Sequence, residues 1–222
     1  MNKNFGRICC AFVICALLPS HANAVESLFN WTGFYIGVEG GGGGATTKQT
    51  NLNTGGTRGD FQQSGGLAGG TVGYNWQQGN FVVGLEGDYA WAHIFGRETN
   101  CGLLSNETCP TELRAFGTAR GRAGLLLSNS SMIYATGGLA FADIKAYKVA
   151  TALTGGEAWR TNWTLGGGFE TMFAPHWSLK FEYLYTSFGE RAATYTIVAS
   201  GNRVAADERD LHIIRSGVNF RF

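Results

Sequence analysis

Apolar and polar residues alternate with a period of two along two long segments of the chain. Between Phe81 and Trp91, every odd-numbered residue is apolar, aromatic or glycine, whereas the even-numbered ones include Glu86 and Asp88. Residues 177–185 repeat this pattern with aromatic and aliphatic side chains at the odd positions. Because side chains alternate between the two faces of a strand, each segment predicts a β-strand with one apolar and one polar face.

Alternation of this kind is found in membrane-spanning barrels and in water-soluble β-sandwiches. A soluble sandwich turns its apolar face inward and its charged face to water, whereas a barrel in lipid carries its apolar band outside. The pattern within the strands does not separate these alternatives. The connections and the two ends of the chain decide between them.

Eight strands are predicted, and the connections between them alternate in length. The strands are residues 31–42, 66–77, 80–95, 112–127, 131–147, 158–173, 176–188 and 209–222. The tight turns lie at 78–79, 128–130 and 174–175, and the long polar loops at 43–65, 96–111, 148–157 and 189–208. Tight turns at one end and long loops at the other are typical of outer-membrane barrels. The predicted fold class is all-β: an eight-stranded antiparallel up-and-down transmembrane β-barrel with four extracellular loops.

The N-terminal residues have the three regions of a secretory signal peptide. A basic start and an apolar run at residues 8–18 precede Ala22-Asn23-Ala24, which matches a signal-peptidase site. The run is too short to cross a bilayer as a helix, and a buried N-terminal helix is the alternative. We expect cleavage between Ala24 and Val25, giving a signal peptide at 1–24 and a barrel domain at 25–222.

Composition narrows the alternatives further. The chain has 34 glycines, but its 13% aromatic content argues against a disordered Gly-rich protein. Its 17 Lys and Arg residues nearly balance its 16 Asp and Glu residues, so nucleic-acid binding is not expected. After the signal peptide no apolar run reaches the length of a membrane-spanning helix, and a chain that enters lipid without helices must close into a barrel.

The last predicted strand ends on aromatic residues. Val218, Phe220 and the terminal Phe222 share one face of this strand. A terminal aromatic residue on an alternating strand resembles the signal that the bacterial barrel-assembly machinery reads. Phe220 and Phe222 are therefore the predicted assembly signal, with that machinery as a partner.

Five segments carry a resemblance to a known family. They are residues 31–37 (WTGFYIG), 73–77 (GYNWQ), 120–124 (RGRAG), 134–140 (YATGGLA) and 217–222 (GVNFRF). With them the chain resembles the small outer-membrane β-barrel family of alphaproteobacteria, which includes porin-like surface antigens and hemin-binding proteins of Brucella, Bartonella and rhizobia. The resemblance implies a barrel in the outer membrane of a Gram-negative bacterium. It implies no single activity, because members are described as porins, adhesins, hemin binders or structural proteins.

The alternation places charged side chains inside the predicted barrel. They are Glu39, Glu86, Asp88, Glu170, Glu182, Arg114, Arg120, Arg122, Lys180, Arg215 and Arg221. Buried charges are costly unless they are paired, and the near balance of signs permits pairing. We therefore predict a lumen closed by salt bridges among Glu86, Asp88, Arg120, Arg122, Glu170, Lys180, Glu182 and Arg215. An ion channel lined by Arg120, Arg122 and Arg215 is the alternative, although a channel gains from one dominant charge sign.

Cys101 and Cys109 are the two cysteines that follow the signal peptide. In an exported protein two close cysteines most often pair, so we predict a disulfide in the second long loop. Metal binding is the alternative, but no further cysteine or histidine lies near them in the sequence. No metal or other cofactor is expected.

Three classes of function remain. The first is a surface protein with a structural or interaction role, whose partners are outer-membrane lipid, lipopolysaccharide and a host-surface ligand. The second, suggested by the resemblance, is binding of hemin or another small ligand at the extracellular rim, with His93 and His212 as candidate ligands. The third is catalysis by His176 and Ser178, which is not expected because no nucleophile, base and orienting acid converge at one end of the barrel.

Overall fold

The computed structural model describes residues 29–51, 57–99, 108–146, 156–187, 193–197 and 202–222. Within these ranges no helix is long and apolar enough to cross a membrane. The strands are β1 (Gly33–Asn51), β2 (Thr57–Gln78), β3 (Phe81–Thr99), β4 (Thr108–Ser128), β5 (Ser131–Ala146), β6 (Gly156–Ala174), β7 (Trp177–Ser187), β8 (Ala193–Ile197) and β9 (Asn202–Arg221).

The sheet closes into a barrel of eight antiparallel strands. From β1 to β7, each strand pairs with the next one in the chain. β9 pairs with β7 on one edge and with β1 on the other, which closes the barrel. The predicted eight-stranded up-and-down fold is therefore confirmed. β8 pairs antiparallel with the first residues of β9 on the edge opposite β1, so it continues β7 in the wall of the barrel.

The two ends of the barrel differ. Two-residue turns at Gly79-Asn80, Asn129-Ser130 and Pro175-His176 join strands at the end where the chain terminates in Phe222. Gly79 has a φ of 60°, a conformation that favours glycine. We call this end the turn end, and the opposite end, where the longer connections lie, the hairpin end.

The strands extend further toward the hairpin end than the sequence predicts. β1 continues to Asn51, where a loop is predicted from residue 43, and β9 begins at Asn202, where the strand is predicted from residue 209. The predicted loop bounds are wrong at these places. The reason is that hydrogen bonds between backbones continue the ladder whether or not the side chains are apolar, so the polar composition of these segments does not end the strands.

Candidate functional site in the barrel lumen

Alternate residues of every barrel strand point into the lumen and fill it. On β3 the even-numbered residues from Val82 to Gly96 are buried, and on β7 those from Ser178 to Thr186 are buried. An eight-stranded barrel has an interior just wide enough for side chains. Three layers of side chains can be distinguished along the barrel axis.

The middle layer is charged, and we call it the charge layer. Its acidic and basic side chains are all at most 9% exposed, and they are Glu39, Glu86, Asp88, Glu170, Glu182, Arg120, Arg122, Lys180, Arg215 and Arg221. Five acids thus face five bases, and every one of them has a partner of opposite sign within 4 Å.

Glu86 lies at the centre of the charge layer. It pairs directly across the sheet with Arg120, whose Nη2 lies 2.5 Å from Glu86 Oε1. Arg122 Nη1 and Lys180 Nζ approach the same carboxylate, each at 3.3 Å. Tyr35 donates its hydroxyl to Glu86 Oε2 at 2.7 Å. One carboxylate therefore links β1, β3, β4 and β7 across the lumen.

Arg215 ties the closing strand β9 into the same layer. Its Nη2 lies 2.5 Å from Glu182 Oε2 and 3.0 Å from Asp88 Oδ2, and its Nη1 pairs with Glu39. Lys180 Nζ lies 3.2 Å from the other oxygen of Glu39. These pairs join β1, β3, β7 and β9 around the seam at which the barrel closes.

Glu170 holds the part of the charge layer nearest the turn end. Arg122 Nη2 lies 2.6 Å from Glu170 Oε2, and Ser178 donates its hydroxyl to Glu170 Oε1 at 2.6 Å. Asn219 Nδ2 donates to the same oxygen at 3.1 Å, and Arg221 Nη2 lies 3.7 Å from it. The carboxylate thus has four partners on β4, β7 and β9, which compensate for the loss of its hydration.

One row of residues occurs in both halves of the barrel. On β1 to β4, four residues directly opposite one another in consecutive strands are Tyr35, Gly73, Glu86 and Arg120. On β5, β6, β7 and β9, the corresponding four are Tyr134, Gly168, Glu182 and Arg215. Each tyrosine crosses the neighbouring strand and donates its hydroxyl to the glutamate beyond, at 2.7 Å from Tyr35 and 2.9 Å from Tyr134.

The glycine in each row leaves the space that the tyrosine occupies. A Cβ at Gly73 would collide with the Tyr35 ring, and a Cβ at Gly168 would lie 2.6 Å from the Tyr134 hydroxyl. Glycine in a strand commonly marks such a close approach. The charge layer therefore depends on small residues as well as on charged ones.

Mostly apolar side chains fill the lumen on the hairpin side of the charge layer, with the buried polar residues Gln63, Thr164 and Thr186 among them. This hairpin-end apolar layer consists of Ala45, Leu67, Ala90, Ala92, Ile94, Leu113, Phe116, Ala140, Ala142, Leu184, Leu211 and Ile213, none of them more than 9% exposed. This layer is absent from the lumen residues predicted from the sequence. The same alternation that identified the charged lumen residues could have found it, because these residues continue the inward positions of their strands.

A second, smaller apolar layer closes the turn end. It contains Trp31, Val82, Met132, Tyr134 and Met172, with Phe29 and Leu126 packed against it. Trp31 is fully buried, and its Nε1 donates to the Asn129 carbonyl at 3.1 Å. Arg221 Nη1 donates to the Trp31 carbonyl at 2.7 Å and stacks its guanidinium 5.2 Å from the indole. The segment before β1 thus folds across the mouth of the barrel.

Arg114 is predicted to point into the lumen, but the structure places it on the outer wall, so this prediction is wrong. Its side chain is exposed, whereas Leu113, Ala115 and Phe116 beside it are buried. The pairing register shifts between Leu113 and Ala115 on the β5 side and between Trp91 and Ile94 on the β3 side. A β-bulge reverses the alternation beyond it, so counting by twos from Arg120 gives the wrong face for Arg114.

The candidate hemin ligands lie on the outer surface and apart from each other. His93 is exposed and its Nδ1 lies 3.1 Å from Glu112 Oε1, whereas His212 Nδ1 lies 2.7 Å from the Tyr183 hydroxyl. Three strand-to-strand steps separate β3 from β9 around the barrel, roughly 14 Å at 4.8 Å per step. The two imidazoles have different polar partners, Glu112 for His93 and Tyr183 for His212.

The residues weighed for catalysis have separate partners. His176 Nδ1 lies 2.9 Å from the Arg221 carbonyl in the turn, and Ser178 donates to Glu170 inside the lumen. The pair does not form a hydrogen-bonded nucleophile and base in the part of the chain that the structure describes.

The remaining predicted residues lie at the ends of the chain or in loops. Phe222 donates its backbone N–H to the Phe34 carbonyl at 3.0 Å, and Phe220 packs edge-on against Trp177 at a ring distance of 5.0 Å. Ala24, Val25 and Cys101 lie outside the described residues, and the side chain of Cys109 does too. Signal cleavage and the Cys101–Cys109 disulfide stay predictions.

Comparison with known proteins agrees with this architecture. The family model of the outer membrane protein beta-barrel domain matches residues 10–222. The chain is 32% identical over 208 residues to the 31 kDa outer-membrane immunogenic protein of Brucella melitensis, covering 87% of this chain and 85% of that protein. It is 32% identical over 165 residues to the 22 kDa outer membrane protein of Rhizobium leguminosarum, covering 74% and 67%.

A solved structure has the same fold at low sequence identity. The outer membrane protein OprG from Pseudomonas aeruginosa superposes with a TM-score of 0.55 over 88% of this chain and 99% of that one, at 15% identity. The relatives are outer-membrane proteins of Gram-negative bacteria, and the apolar outward face of this barrel suits lipid. The chain therefore belongs to the outer membrane protein β-barrel domain family and is an outer-membrane protein that resembles known surface antigens.

Proposed function

We propose that this protein is a closed barrel that anchors its hairpins at the cell surface and conducts nothing through its lumen. The observation that supports this function is the three-layer lumen, in which a charge layer lies between two apolar layers. Its role is then structural and interactive, carried by the surface that the hairpins present.

A channel would need a continuous polar path, and the apolar layers interrupt it. The hairpin-end layer contains Phe116, Ile94 and Leu113, each at most 2% exposed. Such a constriction offers water and ions no hydrogen bonds or charges in place of their hydration, and hydrophobic constrictions close pores by dewetting. The arginines weighed as a channel lining, Arg120, Arg122 and Arg215, are all engaged in ion pairs.

The orientation of the barrel follows from its two ends. Outer-membrane barrels have short periplasmic turns and longer extracellular connections. The turn end, with its three two-residue turns and the chain terminus, is then periplasmic. The hairpin end carries the connections after β1, β3, β5 and β7 into the medium.

Hemin binding is not part of this proposal. Within the described residues, His93 and His212 each have a polar side-chain partner on a neighbouring strand and lie on different parts of the outer wall.

Site-directed labelling of whole cells tests the orientation and the surface role. In a background with Cys101→Ser and Cys109→Ser, Thr54→Cys and Asn129→Cys each introduce one thiol, the first between β1 and β2 and the second in the turn after β4. A membrane-impermeant maleimide should label Thr54→Cys on intact cells and Asn129→Cys only after the outer membrane is permeabilised. Labelling of Asn129→Cys alone on intact cells would contradict the proposal.

A further inference from the structure

The outer wall of the barrel has an apolar band between two rings of aromatic side chains. The ring near the turn end includes Phe34, Trp76, Phe81, Phe173, Trp177 and Phe222, and the ring near the hairpin end includes Tyr89, Trp91 and Trp163. Ten residues separate Phe81 from Trp91, which for a strand tilted by about 40° corresponds to about 25 Å along the barrel axis. That is the height of the hydrocarbon band in outer-membrane barrels, so the second ring marks the interface with the headgroups.

Arg114 lies at this interface. Trp91 pairs across the sheet with Ala115, and Arg114 is one residue closer to the hairpin end. Among the Lys and Arg side chains that the structure describes, Arg114 is exposed on the outer wall. The basic side chains of the charge layer point inward. Arg160 points inward too, since it lies opposite the buried Ala142.

The β-bulge is what turns Arg114 outward. Regular alternation from Arg120 would point Arg114 into the hairpin-end apolar layer, beside Phe116 and Leu113. An unpaired cation there would be strongly destabilising, and bulges commonly re-aim a side chain at a functional place. Among the described residues no carboxylate lies within ion-pair distance of Arg114, so its guanidinium is available to a ligand from outside the chain.

We propose that Arg114 binds a phosphate of the lipid A headgroup in the outer leaflet, beside the aromatic ring that Trp91 belongs to. Guanidinium groups bind phosphates through paired, charge-assisted hydrogen bonds. Lipid A carries phosphates on an amphipathic disaccharide at the level of that ring, and the exposed indole supplies an apolar surface beside it. The inference rests on the proposed orientation, which places the hairpin end in the outer leaflet.

Binding of bisphosphorylated lipid A to the refolded protein in detergent micelles tests the proposal. Bound copies can be counted by native mass spectrometry across a titration. Arg114→Gln should lower the affinity about fivefold, because one partly exposed charge-assisted contact is lost. Arg114→Lys should retain most of the affinity. Arg203→Gln, an equal change of charge on the segment of β9 that pairs with β8, should leave it unchanged.

Two further arms identify the ligand group. Lipid A without phosphates should bind wild type and Arg114→Gln equally, and phosphatidylglycerol should bind more weakly than lipid A and with little dependence on Arg114. Equal binding of bisphosphorylated lipid A by wild type and Arg114→Gln would overturn the proposal, as would an equal dependence on Arg114 for phosphatidylglycerol. Since these measurements use micelles, they are independent of the whole-cell labelling that tests orientation.

Discussion

Each charged residue at the centre of the lumen has partners on several strands. Glu86 on β3 contacts side chains of β1, β4 and β7, and Arg215 on β9 contacts those of β1, β3 and β7. In such a layer the removal of one member leaves several groups with incomplete partners. The groups that remain are then buried charges without full compensation, which destabilises the folded state. The intact layer itself adds little net stability.

Arg120→Ala is expected to destabilise the barrel strongly. Arg120 is fully buried at its side chain and pairs with Glu86, Asp88 and Glu182, so its loss leaves uncompensated carboxylates, at a cost of about 3–5 kcal/mol. Arg114→Ala is the matched control, since it removes the same side chain from an exposed position of the same strand. The midpoint of the heat-induced gel shift should fall far more for Arg120→Ala, and equal midpoints for the two variants would contradict this account of the lumen.

Gly73→Ala is expected to disturb the charge layer without changing any charge. The added methyl group would meet the Tyr35 ring and the Leu85 carbonyl, 2.7 Å away, and overpacking of this kind costs about 1–3 kcal/mol. Gly70→Ala is the control on the same strand, where the nearest atom lies at 3.4 Å. A lower gel-shift midpoint is expected for Gly73→Ala alone, and a similar fall for Gly70→Ala would show that the loss of any glycine from β2 has this effect.

At the scale of elements, the alternation of side chains predicts the faces of the strands but not their ends or their register. The sequence predicts the inward positions of β3 and β7 correctly. The reason is that the pairing is regular from Phe81 to Trp91 on β3 and from Trp177 to Ser187 on β7, with no bulge in either segment. The bulge at Leu113–Ala115 has no signature in the order of apolar and polar residues, so the alternation predicts the wrong face for Arg114. The alternation also does not predict where the strands end, because the hydrogen bonds between neighbouring backbones continue through segments without apolar side chains.

The pairing of particular charges could not be predicted for a related reason. The contact of Lys180 with Glu86 joins strands that are not neighbours in the sheet, so it depends on the stagger of the strands and the width of the barrel. The Tyr–Gly–Glu–Arg rows depend on register in the same way. Their members are separated in the sequence by whole strands, and only the paired sheet brings them into line.

Deletion of Phe222 is expected to affect assembly more than stability. The residue is 68% exposed on the outer wall and contributes one backbone hydrogen bond to Phe34, so the folded barrel loses little. If the terminal aromatic residue is the assembly signal, the amount of protein in the outer membrane should fall severalfold, whereas Phe222→Tyr should assemble normally. Wild-type amounts of the truncated protein in the outer membrane would refute the predicted role of Phe222.

At the scale of the whole molecule, the interior and the exterior have separate tasks. The interior is filled by three layers of buried side chains, and under the proposed function these layers leave no path for solutes. The exterior divides into an apolar band, a headgroup level and the hairpins beyond it. The proposed interactions belong to the headgroup level and the hairpins, so they can change in evolution without disturbing the core.

Planar-bilayer recording of the refolded protein tests the closed lumen most directly. Protein with the full heat-induced gel shift is inserted into a bilayer, with a pore-forming porin as the positive control and heat-denatured protein as the negative one. The account predicts no steady conductance from the wild-type protein, because two apolar layers and a paired charge layer block the lumen. Uniform and steady conductance steps from the folded protein, absent from the denatured sample, would show that the lumen is a pore and would contradict the account.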